Sequence, residues 1–232
     1  MSKQIKLTIA TLLFLLIAIT DIFAVITSNK ILEIIFKPLL MTTLVVVYLV
    51  GVKKPNFWFV SGLFFSFWGD VFLLDKQNYF LFGLASFLMA HIIYIKITIG
   101  FLERHLTAKM ISSAIPFVLL FVGVLYITYS NLGDLLIPVI VYGVTIAAFG
   151  AVTLLNYRQS KSTENLWLLL GSVLFVLSDS LIALNNFYNP SHLFSISIIV
   201  LYIIAQYFIC RAMISKNQLI DIKFAEDLQG ED

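Results

Sequence analysis

Two aspartates, Asp70 and Asp179, stand inside long apolar runs, each directly after a small residue, Gly69 and Ser178. An ionisable side chain in such a run is costly unless it faces a polar interior, so it marks a functional site by default. Two carboxylates in one apolar cavity can divide acid and base roles, one protonated and the other ionised. Around them, Lys37, His91, Tyr94, Tyr202, Gln206 and Asn185 add hydrogen-bonding or charged groups at helical spacing. His91 and Tyr94 are three residues apart and share a helix face; Asn185 follows Asp179 by nearly two turns. The structural alternative is a buried Lys37–Asp70 salt bridge, with Asp179 capping or bonding a neighbouring helix. Glu33, Asp75 and Asp134 fall at the edges of apolar runs and read as solvated.

Other chemistries find little support. The single Cys210 excludes an internal disulfide and a cysteine metal cluster. A lone histidine between helices is more often a hydrogen-bonding group than a ligand. With His105 and His192 in loops on opposite sides, a three-histidine zinc site is disfavoured, and neither metal nor cofactor is expected. There is no phosphate-cradling glycine loop, G-x-S-x-G elbow or H-E-x-x-H pair. The net charge of +2 offers no basic patch for nucleic acid.

The elements that must position these residues are helices in lipid. The chain is 60% hydrophobic and 12% charged, against roughly 45–50% and 25% in soluble domains. A span needs roughly 20 apolar residues. Apolar runs predict one all-α membrane domain over 1–213, a bundle of about eight transmembrane helices at 6–26, 36–51, 57–74, 79–101, 109–129, 134–156, 165–187 and 192–213. The segment 214–232 reads as a solvated, frayed cytoplasmic tail carrying Glu226, Asp227, Glu231 and Asp232. The second run is short and opens with Lys37-Pro38, where proline suits a first helical position; a half-span is its alternative. Phe57, Trp58, Tyr79, Tyr126 and Tyr129 suit interfacial belts.

Lysine and arginine concentrate on the cytoplasmic side of spans. With the N-terminus inside, twelve of the fifteen fall on inner segments, Arg104, Lys109 and Lys223 among them. Only Lys30, Lys37 and Lys76 lie outward. Both termini are thus expected in the cytoplasm of a multi-pass cell-membrane protein. The segment 67–74 echoes 177–184, each with its aspartate near the outward end of a span and a tyrosine, Tyr94 or Tyr202, in the next. At about 1.5 Å per residue the two aspartates lie at similar depth. The echo is compatible with two parallel four-helix repeats related by an axis along the membrane normal, or with chance likeness of apolar helices.

Lys37-Pro38, Gly69-Asp70, the run from Phe82 through His91 to Tyr94, Phe175 to Asp179, and Tyr202 to Gln206 resemble, in order and spacing, the lysoplasmalogenase or YhhN-like family of multi-span membrane proteins. The resemblance covers about residues 30–210. It implies an eight-span bundle and hydrolysis of the vinyl ether bond of lysoplasmalogens, giving a fatty aldehyde and a glycerophospho-choline or -ethanolamine. Asp70 and Asp179 become the essential acidic pair, with Lys37, His91, Tyr94, Tyr202 and Gln206 around them. The partners it implies are a lysophospholipid substrate and membrane lipid. Lys37 and His91 are then candidates to contact the lipid phosphate or to orient the acidic pair, and an anionic head group with Lys37 at the outward end predicts entry from the outer side or outer leaflet. A proton- or ion-coupled small-molecule or lipid transporter built on the buried aspartates is the main alternative, and a lipid-binding protein without chemistry is a third.

Overall fold

The computed structural model describes residues 2–102 and 107–229, with side chains for 2–102 and 109–219. Arg104, His105, Glu231 and Asp232 lie outside the described residues, as do the side chains of Lys223, Glu226 and Asp227. Apolar stretches separated by helix-capping residues fold into eight helices: α1 Lys3–Ile26, α2 Lys30–Gly51, α3 Phe57–Leu73, α4 Lys76–Ile99, α5 Thr107–Thr128, α6 Leu136–Gln159, α7 Thr163–Phe187 and α8 His192–Gln229. The described residues contain no strand. Seven helices are long and apolar enough to cross a membrane, and α3, with 17 residues, is the short one.

The caps explain the starts. Ser2, Asn29, Asn56, Asp75 and Ser162 each accept a hydrogen bond from the amide three residues on, satisfying a donor that a helix start leaves open. Asn29 moves the start of α2 ahead of the expected residue 36. The 22-residue α2 is therefore of full spanning length, and Pro38 lies inside it instead of at its first position. Membrane helices tolerate such a proline because neighbouring groups satisfy the freed backbone. Helical geometry in α4 breaks at Tyr79 (φ −123°, ψ 16°), where hydropathy placed the start of that span. Between α5 and α6, two single 3-10 turns and Gly133 at φ +49° reverse the chain.

The last helix runs past the expected end of its span at residue 213. α8 continues to Gln229, and its extension packs on the α2–α3 connection: Asn217 donates to Lys54 O at 2.8 Å and Gln218 to Gly51 O at 3.3 Å.

Sequence neighbours pair as hairpins, α1 with α2, α3 with α4, α5 with α6 and α7 with α8. Contacts α2–α3, α4–α6, α6–α7 and α1–α8 close a circuit of seven helices, while α5 packs chiefly on α6 and α7 from outside. Phe14, Tyr48, Phe59, Phe149 and Phe175 fill the interior. Leu16, Ile19, Val122 and many other large apolar side chains remain exposed, as a lipid-facing surface requires. The five aromatic residues expected at the interfaces are all exposed.

Candidate functional site

Asp70, on α3, and Asp179, on α7, line one cavity of about 480 Å³, within the usual range for small-molecule sites. Its mouth lies at the ends of α1, α3 and α7, among Ser28, Asp75, Lys76 and His192. Lys37, Ser178 and Tyr202 also line it. Asp70 is 3% exposed and Asp179 8%.

A tyrosine from a distant helix holds each carboxyl. Tyr202 of α8 donates to Asp70 Oδ2 at 2.7 Å, and Tyr142 of α6 to Asp179 Oδ2 at 2.5 Å. Hydroxyl-to-oxygen bonds this short orient the acceptor firmly. His91 of α4 is fully buried, its Nε2 4.0 Å from Asp179 Oδ2. Its ring meets Phe175 edge-on at 4.6 Å between centroids. Each aspartate is thus approached by the hairpin that carries the other: α8 reaches Asp70 and α4 reaches Asp179.

The small residues before the aspartates have packing reasons. A Cβ at Gly69 would stand 2.5 Å from the Phe87 ring, so glycine there lets α4 close on α3. The Ser178 hydroxyl donates to Ile198 O at 3.0 Å, joining α7 to α8.

Other expected site residues are placed differently. Tyr94 donates to Gln206 Oε1 at 3.3 Å, and Gln206 Nε2 to Ser66 Oγ at 3.0 Å. This buried network ties α3, α4 and α8 together one turn below Asp70, and Tyr94 and Gln206 are absent from the cavity lining. Asn185 accepts from Ser191 N at 2.7 Å and donates to Ser195 at 3.3 Å, so it pins the start of α8. The Lys37–Asp70 salt bridge does not form. Lys37 Nζ lies 3.1 Å from Glu33, one turn away, and Glu33 also meets Lys30 at 3.2 Å. The Glu33 side chain is only 17% exposed, which corrects its reading as a solvated edge residue.

Tyr142, Ser66 and Asp21 were missed. Asp21 is wholly buried within α1, and neither carboxylate oxygen has a hydrogen-bond partner. Lys37 and Glu33 are within its electrostatic reach. The rule that singled out Asp70, an acid inside an apolar run, applies equally to Asp21. Tyr142 carried the same signal as Tyr94, and Ser66 lies one turn before Asp70. Among the described residues, no group of three or more His, Cys, Asp or Glu is placed to hold a metal.

The YhhN family model matches residues 32–213. The chain belongs to the YhhN family. That family includes lysoplasmalogenases. The YhhN match spans α2 to α8 and every residue that positions the two carboxyls, whereas Asp21 precedes it. Comparison with curated proteins and with solved structures gives no match.

Proposed function

We propose that this multi-pass membrane protein is a lipid hydrolase that cleaves the vinyl ether bond of lysoplasmalogens, using Asp70 and Asp179 as acid and base. The observation that carries the reading is the meeting of both carboxyls in one cavity, each oriented by a tyrosine, in a chain of the YhhN family.

The chemistry suits the residues. One carboxylic acid protonates the alkene carbon remote from the ether oxygen, leaving an oxocarbenium ion. The other, ionised, stabilises that cation and takes a proton from the attacking water. The hemiacetal so formed collapses to a fatty aldehyde and the glycerophospho-alcohol, a net addition of one water. The cations at the cavity mouth, Lys30, Lys37 and Lys76, suit an anionic head group.

The charge distribution supports a cell-membrane orientation with both termini in the cytoplasm, which turns the cavity mouth outward. The deciding experiment is aldehyde release from a lysoplasmalogen by purified, detergent-solubilised protein beside Asp70→Asn and Asp179→Asn. Release lost in both variants is expected. Wild-type turnover in either folded variant removes the paired scheme, and proton-driven uptake without aldehyde would assign a transporter instead.

A further inference from the structure

Asp179 stands where three spaces meet, and its partner Tyr142 lines two of them. The polar cavity shares Leu73, Phe87, Asp179 and Ile182 with a small apolar pocket of about 40 Å³. That pocket shares Val139, Tyr142, Asp179 and Ala183 with a second apolar pocket of about 60 Å³. The second is walled by Phe117, Phe121 and Val124 of α5, by Gly143 and Ile146 of α6, and by Val176 of α7. A side chain at Gly143 would collide with the Phe121 ring, so glycine shapes this wall. The next exposed residues on α5, Val118, Leu119 and Val122, already face outward. The three spaces thus lie in series, sharing walls at Asp179 and its neighbours, between the aqueous mouth and the lipid-facing side of α5 and α6.

We infer that the two apolar pockets open into one path that holds the hydrocarbon chain of an amphiphilic substrate, with its head group in the polar cavity and its polar–apolar junction at Asp179. The inference rests on the proposed lysolipid chemistry and names its chain site. The volumes admit only the first few methylenes, and the rest of the chain lies in lipid against α5. The site therefore selects the part of the chain nearest the junction and tolerates length beyond it. Ala183, one turn from Asp179, is shared by both apolar pockets. A larger side chain there fills them from α7 while keeping both carboxyls and both tyrosines in the chain.

Two measurements test this. In the first, wild-type protein in detergent is photolabelled with a non-hydrolysable alkyl lysophospholipid carrying a diazirine midway along its chain, and the labelled peptides are mapped. Saturable labelling of α5 and α6, competed by unlabelled lysolipid and lost in Ala183→Leu, is expected. Labelling spread over all lipid-facing helices without saturation overturns the inference, whether or not the protein hydrolyses vinyl ethers. In the second, kcat/KM is compared for a long-chain and a two- or three-carbon alkenyl substrate. Ala183→Leu should lower the long-to-short ratio by about tenfold, the effect of a misplaced methylene in a fitted pocket. An unchanged ratio in an active variant also overturns the chain site and leaves the hydrolase reading standing. Saturable labelling with no aldehyde release would do the reverse.

Discussion

The Tyr202 hydroxyl donates to Asp70 Oδ2 at 2.7 Å across 132 residues of chain. It ties α8 to α3 and sets the direction of a carboxyl that would otherwise rotate in its cavity. Its counterpart on Asp179 comes from Tyr142, on a helix that the echo between the two halves did not indicate.

Removing either hydroxyl should therefore act on the chemical step. Tyr202→Phe and Tyr142→Phe are each expected to lower kcat by about tenfold or more, the worth of one hydrogen bond to a charged group, with KM little changed. Tyr94→Phe loses its hydroxyl's place in the Ser66–Gln206 network and should leave kcat within about twofold while costing roughly 1 kcal/mol of stability. Steady-state kinetics on the three variants separate these roles. Equal losses of kcat would mean that the whole polar network acts as one unit.

Lys37 and Glu33 form a largely buried pair, and without Lys37 the Glu33 carboxylate keeps only the exposed Lys30. Lys37→Met should destabilise the folded protein by about 1 kcal/mol through the weakened pairing of Glu33. Adding Glu33→Gln should recover much of that loss, a coupling that a double-mutant cycle reads directly. Additive losses in thermal unfolding would show that Lys37 depends on Asp21 or Asp70 instead.

Asp21 carries a buried carboxylate without a hydrogen-bond partner, an arrangement that costs stability unless something compensates. Asp21→Asn keeps the shape and should raise the unfolding temperature, by an amount equivalent to roughly 1 kcal/mol. A lower temperature would reveal that Asp21 holds Lys37 in place, and an accompanying rise in KM would connect it to the cavity.

Asn185 serves the α7–α8 turn. Asn185→Ala should cost about 1 kcal/mol, as the loss of a capping side chain does, and leave turnover near that of the wild type. A fall in kcat with stability intact would return Asn185 to the site.

Hydropathy, caps and charge are properties of short windows, so the sequence by itself determined an all-helical bundle of eight elements and singled out Asp70 and Asp179. The acids stood out because a charge inside an apolar run is costly whatever surrounds it. The same reasoning should have caught Asp21. Where a run ends depends on neighbours as well: Asn29 begins α2 early, and α8 stays helical past the apolar run, packed on Gly51 and Lys54. Partner choice belonged to the tertiary structure alone. Tyr202 meets Asp70, Tyr142 meets Asp179 and Tyr94 turns to Gln206. A hydrogen bond needs its atoms within about 3 Å, and that is decided by how each helix is rotated and which helices adjoin it. Those rotations go with the packing of Phe87 over Gly69 and of Phe121 over Gly143, contacts between one helix and the next that no pattern within a single run records.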